Sequence, residues 1–495
     1  MKMHAPLLMI AMSLLAGVAV GDAVGEFRPA LVALAVSVGL AVLLGRWPRW
    51  QTVAIWCCTF LVGVALGSKE RDRLGVSWPD RALLLEAVVV EEPVLKDRWV
   101  VCDVVTTQHH RLRCRIVRDG RSRRIRIGDG LVLQSRVRPA GEWHSGHFDY
   151  RRYMQCHDFV GESFVRPYQW RWRTVSLQML SGVERLRLRL MRWRHHLLES
   201  YRQWGLDGDV YHVVAAMTLG ERSQMSRSLK DTYARVGASH VLALSGLHLM
   251  ILYGVVSFFF GWGRWRLATQ LLTVLSIWAF ALLTGMSPSV TRSAWMISLY
   301  ALLSLGHRER MSVNTLSFAA VVMVAVRPYA IYDMGFQLSF MSVLSILLLT
   351  PRLMGWLPLH VWQRHRWWRS LCGMVAVSVS AQVGTAPLVA YYFGRFSTYF
   401  LLSNMVVVPM AYVVLYLSLS VVVVFWSSAL QQLLVGALSL TVTAMNTLLT
   451  AIGRLPGSSI EGINLSLTRL YLLYIIMVVC WAIVRLARPV FRRSG

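Results

Sequence analysis

Acid is what this chain has least of. From Thr232 to Gly495 there are only three carboxylates, Glu309, Asp333 and Glu461, and lysine is confined to Lys2, Lys69, Lys96 and Lys230 in the whole chain. A membrane pathway for cations needs carboxylate rings or dense carbonyl cages, so this half is excluded as one, whereas a pathway for a phosphate polyanion needs acids kept out and arginine or neutral donors left in. No GxxxxGK[ST] loop occurs, which predicts that the chain does not itself hydrolyse ATP. No HxHxDH motif occurs either.

What is present in their place is apolar length and arginine. The 495 residues are 55% hydrophobic and carry a formal charge of +27, almost all of it arginine. Arginine binds phosphate bidentately and stacks on flat rings, so part of this excess points to a polyanionic partner, and the rest is explained by positive-inside topology. Runs such as Val406–Trp426 recur too often for a soluble domain.

The expected fold is a polytopic α-helical membrane protein of about twelve spans with an inserted small extracytoplasmic β-barrel domain. Residues 1–70 hold three spans, at roughly Pro6–Val24, Pro29–Leu44 and Thr52–Leu66; the first is retained rather than cleaved as a signal, because two more follow at once. Residues 77–172 turn to short alternating strands, Leu83–Val90, Trp99–Thr106, Arg111–Val117, Arg123–Ile127, Leu131–Arg138 and Phe159–Val165, punctuated by glycines. A connector, 175–239, contains a basic amphipathic helix over Val183–Trp204. About nine spans follow in 240–486, then a basic tail, 487–495. Arg46/Arg49, Arg264/Arg266, Arg308/Arg310, Arg352–Arg369 and Arg485–Arg493 fall on one side if spans alternate, and the opposite loops carry fewer cations. Both termini are therefore expected in the cytoplasm and the β-domain outside.

Of seven cysteines, Cys57, Cys58, Cys372 and Cys480 lie in spans as small buried side chains. Cys102, Cys114 and Cys156 lie in the exported domain and are disulfide candidates; Cys102–Cys114, which flank the turn at Gln108–His110, is the first choice and Cys102–Cys156 the second. No metal site or cofactor is expected: His240 and His248 have no nearby cysteine or carboxylate, and the His144–His147–Asp149 spacing is superficial.

Several blocks, in order, resemble the ComEC family of competence DNA-uptake channels. They are Gly128-Asp129-Gly130, Gly146-His147-Phe148-Asp149-Tyr150 through Tyr153, Leu219-Gly220-Glu221-Arg222-Ser223, and His240 followed by Ser245-Gly246-Leu247-His248. Later come Thr291-Arg292-Ser293-Ala294, Pro328 through Asp333-Met334-Gly335-Phe336-Gln337-Leu338-Ser339-Phe340, Gln382 to Pro387, Phe393-Gly394 and Asn404 to Pro409. The resemblance covers roughly residues 1–455. It implies that the exported domain is OB-like, and that the chain imports single-stranded DNA across the inner membrane during natural transformation. It also implies membrane lipid, a DNA receptor and a cytoplasmic motor or helicase as partners. Many members end in a metallo-β-lactamase-like nuclease domain; the missing HxHxDH motif here implies a chain that is not itself an enzyme, with two alternatives open, a nuclease supplied by a separate polypeptide or a truncated member of the family.

The residues support this in their own terms. Ser245-Gly246 interrupts an apolar helix, freeing backbone groups that line pathways at membrane depth; the bland alternative is a close helix crossing at Gly246. Arg292 and Asp333 are ionisable groups at the membrane edge, or simply an ion pair across loops. Gln337, Ser339, Gln382 and Asn404 offer neutral donors. His240, Ser245, Gly246, His248, Arg292, Asp333, Gln337, Ser339, Gln382 and Asn404 are thus the expected channel residues. Arg111, Arg113, Arg115, Arg118, Arg121, Arg123, Arg124 and Arg126, with Trp99, Trp143, Phe148, Tyr150 and Tyr153 nearby, form the expected DNA-receiving surface, arginine for backbone and rings for bases. Two other classes compete. A secondary transporter of a small organic or phosphorylated anion would show inverted repeats within 240–486. An intramembrane hydrolase would pair Ser245 with His240 or His248, but no orienting third group is evident.

Overall fold

The protein is described from a computed structural model covering residues 6–25, 27–141, 144–145, 148–174, 180–260, 266–305, 312–356, 366–424 and 426–491. Trp143, Gly146, His147, Arg264, Arg308, Glu309, Arg310 and the tail from Arg492 lie outside the described residues.

Three apolar helices come first, α1 (Pro6–Val24), α2 (Phe27–Leu43) and α3 (Pro48–Leu74). α1 and α3 meet through Gly17 and Gly21 on one side and Gly63 and Gly67 on the other. A Cβ at any of these four would run into a carbonyl oxygen of the facing helix, that of Phe60, Val64, Leu14 and Val18 respectively. Two four-residue glycine spacings thus bring the backbones into contact, the means by which apolar helices associate where no hydrophobic force separates them from lipid.

The β-domain is built from β1 (Leu83–Val89), β2 (Val94–Leu95), β3 (Trp99–Thr106), β4 (Arg111–Val117), β5 (Gly130–Ser135), β6 (Val137–Arg138), the short pair β7 (His144–Ser145) and β8 (Phe148–Asp149), helix α4 (Tyr150–Cys156), β9 (Phe159–Val165) and β10 (Trp170–Trp172). Its main sheet runs β10-β5-β1-β3-β4-β9-β6, with β2 beside β3; β4 and β9 are parallel and the remaining pairs antiparallel. Strict alternation on β4 sends Leu112, Cys114 and Ile116 into the core and Arg111, Arg113 and Arg115 outward. The core is Val89, Val100, Leu112, Ile116, Leu131, Leu133, Val165 and Trp170, all nearly sealed from solvent.

Two strand expectations are corrected. Residues Arg123–Ile127 are not a strand, because Ser122–Arg124 form a turn of 3-10 helix. The cause is local: the Asp119 N–H donates to Ser122 Oγ at 2.8 Å and the Ser122 N–H to Asp119 Oδ1 at 2.5 Å, offering the backbone an alternative to pairing. Leu131–Arg138 is two strands broken at Arg136, β5 pairing with β1 and β6 with β9.

The connector begins with α5 (Gly182–Gln203), close to the expected span. Ser181 caps it reciprocally with Glu184, each backbone N–H donating to the other's side chain. Then follow α6 (Gly208–Leu219), α7 (Arg227–Arg235), α8 (Ser239–Leu242), α9 (Gly246–Phe260), α10 (Arg266–Leu283), α11 (Pro288–Leu305), α12 (Val313–Val326), α13 (Met334–Met354), α14 (Arg366–Phe393), β11 (Arg395–Ser397), α15 (Phe400–Val423), α16 (Ser428–Gly453), β12 (Ser459–Glu461) and α17 (Leu467–Phe491). Among the described residues seven helices are long and apolar enough to cross a membrane: Pro6–Val24, Phe27–Arg46, Pro48–Leu74, Met334–Met354, Trp367–Phe393, Phe400–Val423 and Ser428–Gly453. Shorter apolar helices cover Gly246–Phe260, Leu267–Leu283, Val313–Val326 and Leu467–Ile483.

The chain divides into two compact units, one of residues 1–225, 242–336 and 415–436, the other of residues 226–241, 337–414 and 437–495. In the first, α9, α10 and α11 pack around Leu244, Leu249, Ile277, Ala281, Val290 and Ala294. In the second, β11 pairs with β12, Tyr233 is fully buried and donates to Asn446 Oδ1 at 2.7 Å, and α14 packs against α17.

Candidate functional site

The helix break expected at Ser245-Gly246 is present. α8 ends at Leu242, α9 starts at Gly246, and the Ser245 N–H donates to His248 Nδ1 at 3.1 Å, with Ser245 Oγ 3.2 Å from the same nitrogen. An imidazole nitrogen that accepts an amide proton carries none itself, so its lone pair is engaged before any serine proton reaches it. The Ser245–His248 contact caps the start of α9. Gly246 lies against α11: a Cβ there would stand 3.4 Å from Ser293 Oγ, an ordinary contact, while a longer side chain meets α11 itself.

Next to Ser293 on α11 is Arg292, only 7% exposed. Its guanidinium donates to Asp333 Oδ1 at 3.2 Å, and that oxygen also accepts the Phe336 N–H at 2.7 Å, capping α13. The guanidinium packs on Gly335, where a Cβ would fall 2.9 Å from Arg292 NH2, so glycine at 335 is what lets the arginine approach. Arg292 Nε is buried with no hydrogen-bond partner among the described residues. The ion pair set out as an alternative for these two residues is thus present, holding one buried cation beside a helix start.

Of the ten expected channel residues, Ser245, Gly246, His248, Arg292 and Asp333 belong to the first unit, and His240, Gln337, Ser339, Gln382 and Asn404 to the second. In the second unit His240 is exposed, with Nδ1 3.1 Å from the Gly237 carbonyl. Gln337 Oε1 accepts from the Tyr392 hydroxyl at 2.8 Å, and Ser339 and Gln382 are half-buried. Asn404 Oδ1 is buried without a hydrogen-bond partner among the described residues. Neutral groups continue along α13 and α14, where Thr350 donates to Ser380 Oγ at 2.9 Å and Ser345 packs into the space beside Gly384.

The Leu219–Ser223 block is structural. Arg194, 5% exposed on α5, donates Nε to the Leu219 carbonyl and NH2 to Glu221, each at 2.8 Å. Gly220 takes the left-handed conformation that ends α6, and Leu244 Cδ1 sits 2.7 Å from where its Cβ would be.

On the β-domain the eight expected arginines separate into two groups. Arg111 pairs with Glu91 at 2.5 Å, Arg113 makes a two-pronged contact with Asp103 at 2.8 and 3.0 Å, and Arg115 pairs with Glu162 at 3.0 Å. Arg111 and Arg113 also lie over the Phe159 ring, at 4.6 and 4.5 Å from its centroid. Against the upward push of burial, Arg111 and Arg187 hold the Glu91 carboxyl below its ordinary value. Arg118 is half-buried and donates to the Lys96 carbonyl at 3.3 Å, whereas Arg121, Arg123, Arg124 and Arg126 are exposed on the β4–β5 connection.

Cys102 and Cys114 stand directly opposite each other on β3 and β4, as their symmetric flanking of the turn implies, but the expected disulfide is not formed. Both are free thiols in the core, where burial pushes Cys102 up to about 12 and Cys114 well above its ordinary value. Cys156 is placed elsewhere, its thiol donating to the Tyr329 carbonyl at 3.3 Å.

One cluster was not anticipated. Asp22, near the end of α1, accepts from the Tyr329 hydroxyl, from the Tyr332 hydroxyl at 3.0 Å and from Arg152 of α4 at 2.8 Å, while the Arg152 guanidinium lies 4.2 Å above the Tyr332 ring. Arg327 adds a 3.7 Å contact to Asp158, which also pairs with Arg73. The Asp149–Tyr153 block thus ties the β-domain to the turn just before Asp333. A lone carboxylate near the end of an apolar span was the signal for it.

The sequence profile of the family described as Competence protein matches residues 217–489, more than half of the chain. The chain belongs to the Competence protein family. With its seven long apolar helices, this member is a membrane protein. The chain is 29% identical over 53% of its length to ComE operon protein 3 of Bacillus subtilis (strain 168), covering 31% of that protein. It is 27% identical over 31% of its length to Competence protein ComA of Neisseria gonorrhoeae, covering 24% of it, and 26% identical over 40% to an uncharacterized protein of Aquifex aeolicus (strain VF5), covering 45%. The chain therefore spans less than half the length of these relatives. No solved structure matches it. The family match contains all ten membrane residues described above and leaves the β-domain outside it, so the reading of the β-domain rests on its own residues.

Proposed function

We propose that this member of the Competence protein family is an inner-membrane channel that imports single-stranded DNA during natural transformation. The observation that carries the reading is Arg292, buried beside an interrupted helix in a half of the chain that has only three carboxylates, one of them its own partner. Such a site presents a fixed cation whose charge is already moderated by Asp333, so a phosphate is attracted without being trapped, as translocation requires. The neutral groups Gln337, Ser339, Gln382 and Asn404 suit the same task. A DNA receptor and a cytoplasmic motor or helicase would be its partners.

The test compares two substitutions at matched membrane abundance. Ser245→Ala should keep at least partial DNA uptake, because the serine caps a helix. Gly246→Leu should block it by filling the crossing with α11. A dead Ser245→Ala together with an active Gly246→Leu would favour a hydrolase, and uptake of a small phosphorylated anion competing with DNA would favour a secondary transporter.

The twelve helices α1–α3 and α9–α17, if all span, make an even number, which supports both termini in the cytoplasm and the β-domain outside. A membrane-impermeant maleimide should then label Leu84→Cys in intact cells and leave Arg369→Cys unlabelled; the reverse pattern inverts the topology. The pairing of β5 with β1 and of its continuation β6 with β9 supports a closed, OB-type barrel of five strands. Closure predicts slow amide exchange along both edges of β5–β6, and fast exchange there would mean an open sheet.

A further inference from the structure

We propose that the outer face of β3, β4 and β9 carries a base-stacking station for unpaired nucleotides, centred on Trp99 and Phe164. This rests on the DNA reading above and adds to it a subsite and a preference for single strands. Trp99, first residue of β3, points outward, and its ring meets that of Phe164 edge to face at 5.9 Å. Phe164, next to the last residue of β9, is 47% exposed where a polar residue would serve solubility. Beside Trp99 opens a cleft of about 520 Å3 lined by Asp97, Arg98, Trp99, Val117, Arg118 and Arg123, within the size range of small-molecule sites.

The charges around it suit a nucleotide. Arg98 and Arg123 are exposed at the rim, and Arg118 brings a buried Nε with no hydrogen-bond partner among the described residues. Arg115 covers the other flank, its guanidinium 5.3 Å from the Phe164 ring centre. Asp97 is the one carboxylate in the cleft; it opposes phosphate but can accept from an exocyclic amine of a base. Arginines for the backbone and an open ring for the base are what sequence-tolerant single-strand binding uses. In a duplex the base faces are already stacked, so the rings reach only unpaired bases.

This face also explains why the eight arginines divide as they do. Arg111 and Arg113 are held by acids and by Phe159, away from the Trp99 end. The rings expected to stack, Tyr150 and Tyr153, lie against Arg115 and Arg113, 5.9 and 5.8 Å from their guanidinium carbons, and are engaged.

The experiment uses the full chain in lipid nanodiscs and the anisotropy of three labelled probes of equal length: an oligothymidylate, an abasic phosphodiester and a duplex. Trp99→Ala should weaken the oligothymidylate about tenfold and leave the abasic strand unchanged, and Trp99→Phe should restore most of the loss. Arg118→Gln with Arg123→Gln should weaken both single strands. The proposal is overturned if Trp99→Ala weakens neither strand, or both equally, if Trp99→Phe is as poor as alanine, or if the parent chain binds the duplex as well as the oligothymidylate. Binding that depends on Trp99 in a chain whose loss leaves DNA uptake normal would instead count against the channel and leave the station standing.

Discussion

The β-domain and the membrane half use arginine in opposite ways. Along β4 every outward arginine has an acid of its own, Glu91, Asp103 or Glu162, and an aromatic ring beneath it. Past Thr232 the carboxylates nearly vanish, and Arg292 with Asp333 is the buried pair among the described residues there. Acids in the first region fix a small sheet; the second has three, and Asp333 is the one placed where a cation must be neutralised to be buried. Of the four exposed arginines on the β4–β5 connection, Arg121 lies over Trp170 and Trp172, while Arg123, Arg124 and Arg126 turn to solvent.

The contrast breaks most visibly at Asp333. Asp333→Ala leaves Arg292 buried and unpaired and removes the cap on α13, so it should lower stability by about 3–5 kcal/mol, read as a large drop in the unfolding midpoint in detergent. Arg292→Gln with Asp333→Asn should recover most of that loss while DNA uptake stays impaired; full recovery of both would make the pair purely structural. A smaller effect is expected on β4. Asp103→Ala strands Arg113 and should cost about 1–3 kcal/mol. Changing Arg121, Arg123, Arg124 and Arg126 together to Gln should stay within about 0.5 kcal/mol per position, yet flatten the salt dependence of oligonucleotide binding by about 0.7 for each phosphate no longer neutralised. An unchanged slope would remove these arginines from the receiving surface.

The smallest effect is one of pH. Burial pushes the Glu221 carboxyl up, but Arg194 and Ser223 more than offset it and hold it below its ordinary value. A carboxyl depressed on folding stabilises fully above its unfolded value, near ~4.3, and loses that contribution as pH falls through the folded value. Unfolding midpoints should therefore drop between about pH 5 and pH 3, and less so in Glu221→Gln; equal slopes in the two proteins would mean that Glu221 is not the group responsible.

Much of this was legible in the chain itself. Trp99–Thr106, Arg111–Val117 and Phe159–Val165 were read to the residue because runs of β-branched and aromatic residues, or alternation in the case of β4, are bounded there by polar turn residues. The Ser245-Gly246 break was legible because small polar residues in an apolar run have few other uses. Arg123–Ile127 misled because its alternation is real while the Asp119–Ser122 bonds that bend it are not a hydrophobic signal. The kink at Arg136 was hidden because both halves of that strand continue one pattern and only the change of neighbour divides them. The pairing of strand arginines with acids distant in sequence could not be read, since charge composition gives a total and not a partner. Phe164 was overlooked for a similar reason: its exposure depends on which face of β9 the sheet covers.

The central claim is tested most directly by supplying labelled DNA to cells that lack this chain and measuring the strand that becomes protected inside. The account predicts that internal single-stranded DNA disappears, returns when the intact chain is restored, and does not return with Gly246→Leu at equal abundance. DNA internalised at the normal level without the chain would contradict it.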